Sequence, residues 1–344
     1  MAAVVRAGQA SVVFWLLSCT FVFQSAAVPG LTFFKSPNIA KPCSLAAIFL
    51  DPYNLKTLFF ILAFCCSTKT CFSQSQERTV FIYNVGFGSL TSAIGAVINK
   101  PKGTNWKKHF VKGFWQGSIG GLINYSSKKT LYLNNLNQNK AFFWPAKILN
   151  SAGTSIMQNA SLNQPFLENW YLDYGLVRVD FAIHDKEKFK VRLLPAGIYA
   201  TIAASRLGQF DLENTLVTGQ IVFSSKELLR YPNGNTEIGY SFGRGLVFVN
   251  NTQVYFNKYK LLTHEIVHQF QYNDNQIFTT WLNPIGQKIK SKTLKTIFKK
   301  YVYPDLPFSL ITYNLAGHYS YPHYFRNFYE FEAERFSTNS YVPR

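Results

Sequence analysis

The chain has 344 residues, 47% of them hydrophobic and 15% charged, which excludes an intrinsically disordered polymer and suffices for one large folded domain or two small ones. Its 35 Lys and Arg outnumber 17 Asp and Glu to give a formal charge of +18, but no nucleic-acid-binding motif accompanies the excess, so nucleic acid is not an expected partner. All five cysteines (Cys19, Cys43, Cys65, Cys66 and Cys71) precede residue 72, which excludes disulfides and thiolate metal ligands from everything after it.

Residues 1–54 hold an apolar stretch, Val12 to Phe23, with little folding pattern, and read as an N-terminal extension. Residues 55–73 have the form of a signal peptide: Lys56 as a short basic start, an apolar core, then a polar region ending at small Ser73, with cleavage expected before Gln74. Because a signal peptide belongs at the very N-terminus, Leu55 is read as the true initiator, from a non-standard start codon. The competing reading makes Met1 to Ala27 the signal and the later stretch a buried helix or anchor. Lipoprotein attachment at Cys65 or Cys66 fits less well, since bulky Phe64 stands where a small residue is required. Export is expected either way, to the periplasm or an outer-membrane-associated place in a Gram-negative-type envelope.

Residues 74–165 form a helical region rich in small residues. Val80 to Ile98 is uncharged and just long enough to cross a bilayer, although its glycines and Asn84 argue against that. Gly113, Gly117 and Gly121 recur every four residues, a small-residue stripe that lets a second helix approach closely; Trp115, Gln116 and Asn124 favour packing inside the protein over contact with lipid. Ser151 to Gln164 reads as a helix end and a loop, with Pro165 as the domain divide. From Trp170 the pattern turns to β: Tyr171 to Ile183, Phe189 to Ala203 and Thr215 to Ser224 predict an antiparallel sheet. Gly245 to Val249 and Gln253 to Phe256, flanking Asn250-Asn251, predict a hairpin.

Lys258 to Tyr272 predicts a helix with Leu261, Leu262, Val267 and Phe270 as its apolar stripe and Asn257 as N-cap. Within it lies His264-Glu265-Ile266-Val267-His268. Positions i and i+4 share a helix face, so both histidines can hold one metal ion while Glu265 sits beside them as a general base. With six histidines in the chain, the pattern is expected about 0.003 times by chance, so it marks a candidate site rather than a coincidence. Zinc in a catalytic site needs a third protein ligand and an open position. Further on, six lysines (Lys288, Lys290, Lys292, Lys295, Lys299 and Lys300) suit either a solvated helix face or an anionic membrane surface. A tyrosine-rich stretch from Tyr313 to Tyr324 follows, and Asn327 to Phe336 predicts a last helix in which Glu330 and Glu334 share a face and Glu332 points away.

Glu330-x-x-Ala333-Glu334, placed after the His-Glu-x-x-His helix, resembles the second helix of the gluzincin metallopeptidases, with Glu where that family usually has Asp. The resemblance is confined to residues 257–337 and implies an α+β fold: a mixed or antiparallel sheet, the motif helix and a second glutamate-bearing helix, in a metallopeptidase domain covering 166–344. It further implies a zinc ion on His264, His268 and Glu330, with Glu332 as the fallback third ligand and Glu334 holding the outer N–H of a ligating histidine. Glu265 becomes the general base for hydrolysis of a peptide or protein substrate. His323 and Tyr321 are the first-ranked donors to the developing oxyanion, drawn from a segment that also offers Tyr313, His318, Tyr319 and Tyr324. An edge strand over the site is implied as well, for which residues 246–256 are the candidate. The competing functional class is a non-enzymatic envelope or membrane-associated binding protein with a structural or vestigial metal site.

Overall fold

The computed structural model describes residues 75–184, 187–230, 236–249, 258–320 and 327–338. Three helices come first: α1 (Ser75–Ile98), α2 (Trp106–Leu136) and α3 (Phe143–Ser161). Asn105 starts α2, its side chain accepting the Lys107 N–H. The glycine stripe of α2 is what lets α1 approach. A Cβ at Gly113 would press on Ala93 and Ala96, one at Gly117 on the Gly88 carbonyl and Ser92, and one at Gly121 on the backbone of Asn84 and Val85. Gly117→Ala should therefore destabilise the protein by about 1–3 kcal/mol, the overpacking cost outweighing the gain in helix propensity. Gly86, on the same helix pair but with open space where its Cβ would go, provides the control. Gly86→Ala should be neutral or stabilising by up to about 1 kcal/mol in the same denaturant titration.

The stretch from Ser151 to Gln164, expected as a helix end and a loop, stays helical as far as Ser161, and its small residues are the reason. Gly153 meets Asn124 and the Gly120 carbonyl of α2, and Ser155 Oγ returns a 2.6 Å bond to the Ser151 carbonyl, so weak helix formers are retained by packing. α1 has the length and apolarity to cross a membrane. Its polar side is nevertheless used inside the protein: Asn84 is buried, its amide donates to Glu332 Oε1 (2.5 Å) and its carbonyl oxygen accepts from Lys128 (2.9 Å).

A first sheet follows, with β1 (Asn169–Tyr174), β2 (Val177–Ala182) and β3 (Phe189–Leu193) antiparallel in register Leu172↔Val179↔Val191. The β expectation for 194–203 gives way to α4 (Pro195–Ser205), since Pro195 fits the first turn of a helix and removes a strand donor. A second sheet has strand order β4 (Gln209–Phe210), β5 (Ile221–Ser225), β9 (Gly245–Val249), β8 (Gly239–Ser241). Its β5–β9 pair is parallel, so this sheet is mixed. Residues 215–218, expected as strand, instead belong to α5 (Leu212–Thr218), capped by the Asp211 carboxylate on the Asn214 N–H and closed by left-handed Gly219. β6 (Leu229–Arg230) pairs with β7 (Thr236–Glu237). Val247, Val249, Phe223 and Ala204 form the core of this part, with Tyr240 and Phe242 packed on it. The hairpin partner expected at 253–256 lies outside the described residues.

Helices complete the chain: α6 (Lys258–Asn275), α7 (Ile277–Trp281), α8 (Asn283–Gln287), α9 (Lys292–Lys300), α10 (Phe308–Ser320) and α11 (Phe328–Ser337). The architecture is thus α+β, with small sheets between two helical layers of sequence. Val80–Arg344 is one compact unit and contains the expected divide at Pro165; Met1–Thr79 groups apart, and only its last residues are described.

Charges are buried in this unit to an extent that composition does not reveal. Arg178 is fully buried, bidentate on Asp173 (2.6 and 2.8 Å) and stacked between the rings of Tyr171 and Tyr303. Arg244 joins the same Asp173 (2.5 Å) to Asp305 (3.0 Å) and Asn273 (2.7 Å), tying the first sheet to α6. Burial opposes the Asp173 charge, but Arg178 and Arg244 outweigh it and hold this carboxyl well below the usual range. Nearby, Lys147 is buried, donates to the Gly219 carbonyl (2.5 Å) and has its ammonium pushed down to about 7, chiefly by burial, with Arg244 adding to the effect against Asp173. Between about pH 7 and the ordinary lysine value the unfolded chain keeps a proton that the folded chain lacks, so stability rises with pH across that window and is lost as pH falls toward 7. The unfolding free energy should climb by at most about 1.4 kcal/mol per pH unit there, and Lys147→Met should remove that component of the slope.

Candidate metal centre

α6 carries His264 and His268 one turn apart with ring centroids 4.9 Å apart. It does so because Leu261, Leu262, Ile266, Val267 and Phe270 are all buried, which fixes the rotation of the helix and turns the two histidines to its remaining face. α11 runs beside α6 and supplies Glu330, which is buried. Asn327 starts α11 by accepting the Tyr329 N–H (3.1 Å), which sets where the helix begins and hence which glutamate faces the histidines.

Three ligand atoms converge. His264 Nε2 and His268 Nε2 are 3.2 Å apart, and Glu330 Oε2 is 3.4 Å from the first and 3.5 Å from the second. Ligands at tetrahedral angles on bonds of about 2.0–2.1 Å, the lengths of zinc to imidazole and carboxylate, stand about 3.4 Å from one another. The triangle therefore has the edge of one face of such a tetrahedron, and its two-imidazole, one-carboxylate donor set suits a first-row divalent metal.

The surrounding residues orient each ligand. Tyr313 on α10 donates its hydroxyl to Glu330 Oε1 (2.6 Å), occupying one carboxylate oxygen and leaving Oε2 toward the histidines. Gln271 donates its amide to the Tyr329 carbonyl and to Glu332 Oε2 (2.9 Å each), which leaves Gln271 Oε1 as the acceptor for His268 Nδ1–H at 2.8 Å. The network thereby places the His268 proton on Nδ1 and frees Nε2 to face Glu330. Glu334 Oε2 lies 3.5 Å from His264 Nδ1, and its other oxygen pairs with Lys260 (2.8 Å). The longer side chain is thus shared between the histidine and a lysine.

Glu332, the fallback ligand, is corrected by this geometry. It is completely buried on the far side of α11, where Lys128 (2.9 Å), Asn84 and Gln271 hold it, and it acts on the centre only through Gln271. Tyr321 and His323 lie outside the described residues. The sequence offered Tyr313 as one of several oxyanion donors, not as a partner of Glu330, and did not single out Gln271; the available signal for Gln271 was its place three residues after His268, on the same helix face.

Glu265 is buried, and burial pushes its carboxyl up to about 7 against the pull of His264 and His268. It faces β8: a Cβ on Gly239 would sit 2.5 Å from Glu265 Oε1, so glycine at 239 makes room for this carboxylate. Against its burial, hydrogen bonds with Glu330 and Glu334 and the charge of Glu265 and Glu330 raise His264 to about 10, and Glu330 is correspondingly held well below the carboxylate range despite its own burial. The His264 imidazolium thus faces the Glu330 and Glu334 carboxylates, an arrangement that a divalent cation can take over by displacing the imidazole proton.

The expected edge strand is also relocated. β9 is buried at every residue and lies between β5 and β8, because the run Gly245–Val249 is apolar on both faces. Among the described residues the edges are β4 and β8, and β8 packs against α6 beside Glu265. No family model matches the chain, and no curated protein or solved structure is similar to it.

Proposed function

We propose that the chain is an exported zinc metallopeptidase of gluzincin type whose centre is His264, His268 and Glu330. The observation that carries the proposal is the triangle of ligand atoms with edges of 3.2–3.5 Å, with buried Glu265 next to it in sequence and in space. Zinc held by three such ligands supplies a Lewis acid and lowers the pKa of a water.

The rest of the chemistry belongs to the chain. Glu265, lifted to about 7, is poised to take a proton from the attacking water and return it to the leaving amine. Tyr313 keeps Glu330 presenting one oxygen, and Gln271 keeps His268 in one tautomer. β8 ends its sheet beside Glu265 among the described residues, and a sheet edge is the place where an extended substrate lies along main chain; this favours a peptide over a compact small molecule. The signal-like segment at 55–73 supports an envelope location.

The test is incubation of the purified chain with a denatured proteome digest, reading new peptide termini by mass spectrometry with and without a zinc chelator. New termini that vanish with the chelator and return with added zinc support the proposal. A metal-loaded, folded protein that cleaves nothing in the pool favours the binding-protein class instead.

A further inference from the structure

α9 is exposed at every residue, yet it is strongly two-sided. Leu294, Ile297, Phe298 and, just beyond the helix, Tyr301 fall on one face at spacings of three, four and seven, with 36–60% of their surface open. Lys292, Lys295, Lys299 and Lys300 occupy the opposite face and its flanks. A surface helix ordinarily buries its apolar stripe; this one leaves 36–60% of each stripe residue open. Ser291 caps it, accepting the Leu294 N–H (3.3 Å), so the helix is a formed element with an apolar face partly open to solvent.

The neighbouring strand extends that surface. The backbone bonds Leu193 N–H to Tyr301 O (2.7 Å) and Tyr303 N–H to Leu193 O (2.9 Å) fasten the end of α9 to β3. On β3, Phe189, Val191 and Leu193 are 66%, 60% and 48% exposed, and Phe181 packs edge-on against Phe189 from β2. Lys188 and Lys190 border them, and no acidic residue occurs between 276 and 304. Glu187, the nearest acidic group shown to touch α9, pairs with Lys300 at 3.5 Å.

We propose that α9 and the adjoining end of β3 form a docking surface for an anionic lipid bilayer, with α9 lying in the plane of the interface. A nine-residue helix is about 14 Å long, less than half the hydrocarbon thickness, so it lies on the membrane and does not cross it. Its apolar face enters the acyl boundary and its lysines reach the phosphates of the headgroups. Charge selects this occupant over a second copy of the chain: a two-fold contact through this face would set each copy's lysines against those of the other. The inference does not depend on the metal centre.

The experiment is flotation of the full chain with vesicles of phosphatidylcholine alone or mixed with phosphatidylglycerol, together with hydrogen exchange of the 292–301 amides. Wild type should bind the mixed vesicles more tightly than neutral ones and gain exchange protection at 292–301. The triple variant Lys292→Gln/Lys295→Gln/Lys299→Gln should lose about a hundredfold in the phosphatidylglycerol-dependent affinity. Phe298→Asp, at an exposed position, should lose the local protection while the fold is retained. Equal binding of wild type and both variants, or flotation without protection at 292–301, would overturn the proposal. So would vesicle-independent protection that grows with protein concentration, which would mark a protein interface, or binding indifferent to phosphatidylglycerol.

Discussion

Glu265→Gln should lower peptide hydrolysis about 10³-fold while leaving bound metal near the wild-type level. The two parts follow from separate observations. The carboxylate is not one of the three converging ligand atoms, so replacing it with an isosteric amide removes no metal bond. It is, however, the titratable group that burial has brought to about 7, and a base near the operating pH is worth about 10²–10⁴ in rate. Steady-state kinetics beside elemental analysis of the same preparation checks both. A variant that loses its metal as well would make Glu265 a structural part of the centre, and full retention of activity would remove it from the mechanism.

Lys128→Met should destabilise the protein by about 3–5 kcal/mol in a denaturant titration. Lys128 is fully buried in α2, and its ammonium is 2.8 Å from Asp274 Oδ2 and 2.9 Å from Glu332 Oε2. Asp274 also accepts from Asn124 (2.7 Å) and Asn150 (3.2 Å), and Glu332 from Asn84 and Gln271, so one cation anchors a network joining α1, α2, α3, α6 and α11. Removing the cation leaves two carboxylates facing each other in the interior, and that uncompensated charge, more than the loss of a favourable pair, sets the size of the effect. The double variant Lys128→Met/Glu332→Gln should recover part of the loss, since one of the stranded charges is gone. A loss below about 1 kcal/mol would show that solvent reaches the cluster.

What the sequence discloses and what it hides separate along physical lines. His264 and His268 on one helix face, and Glu330 on a later helix, are legible because helical periodicity is a local property. The stripe Gly113, Gly117, Gly121 is legible for the same reason, and its partner is α1. Strand order is not local. β9 has the look of one arm of a hairpin, but its pairing with β5 depends on residues some twenty positions earlier, and that pairing moves the edge to β8. Small-residue helices mislead in the other direction. Residues 151–161 lack intrinsic helix preference and become helical because Gly153 lets α2 and α3 close on each other.

The hidden part of the candidate site is its support. Lys128 sits 204 positions from Glu332 in sequence, and Tyr313 17 from Glu330, so neither contact has a periodic signature. Helical periodicity ranks Glu330 ahead of Glu332 but does not fix the rotation of the helix. Their different tasks follow from the helix start set by Asn327 and from the buried lysine that claims Glu332.

Metal content shows most plainly which of the two glutamates holds the ion. Elemental mass spectrometry on dialysed wild type, Glu330→Gln and Glu332→Gln should find about one zinc per chain in wild type, near none in Glu330→Gln, and a metal still bound in folded Glu332→Gln. A folded wild type without metal, or Glu330→Gln that keeps it, would contradict the account.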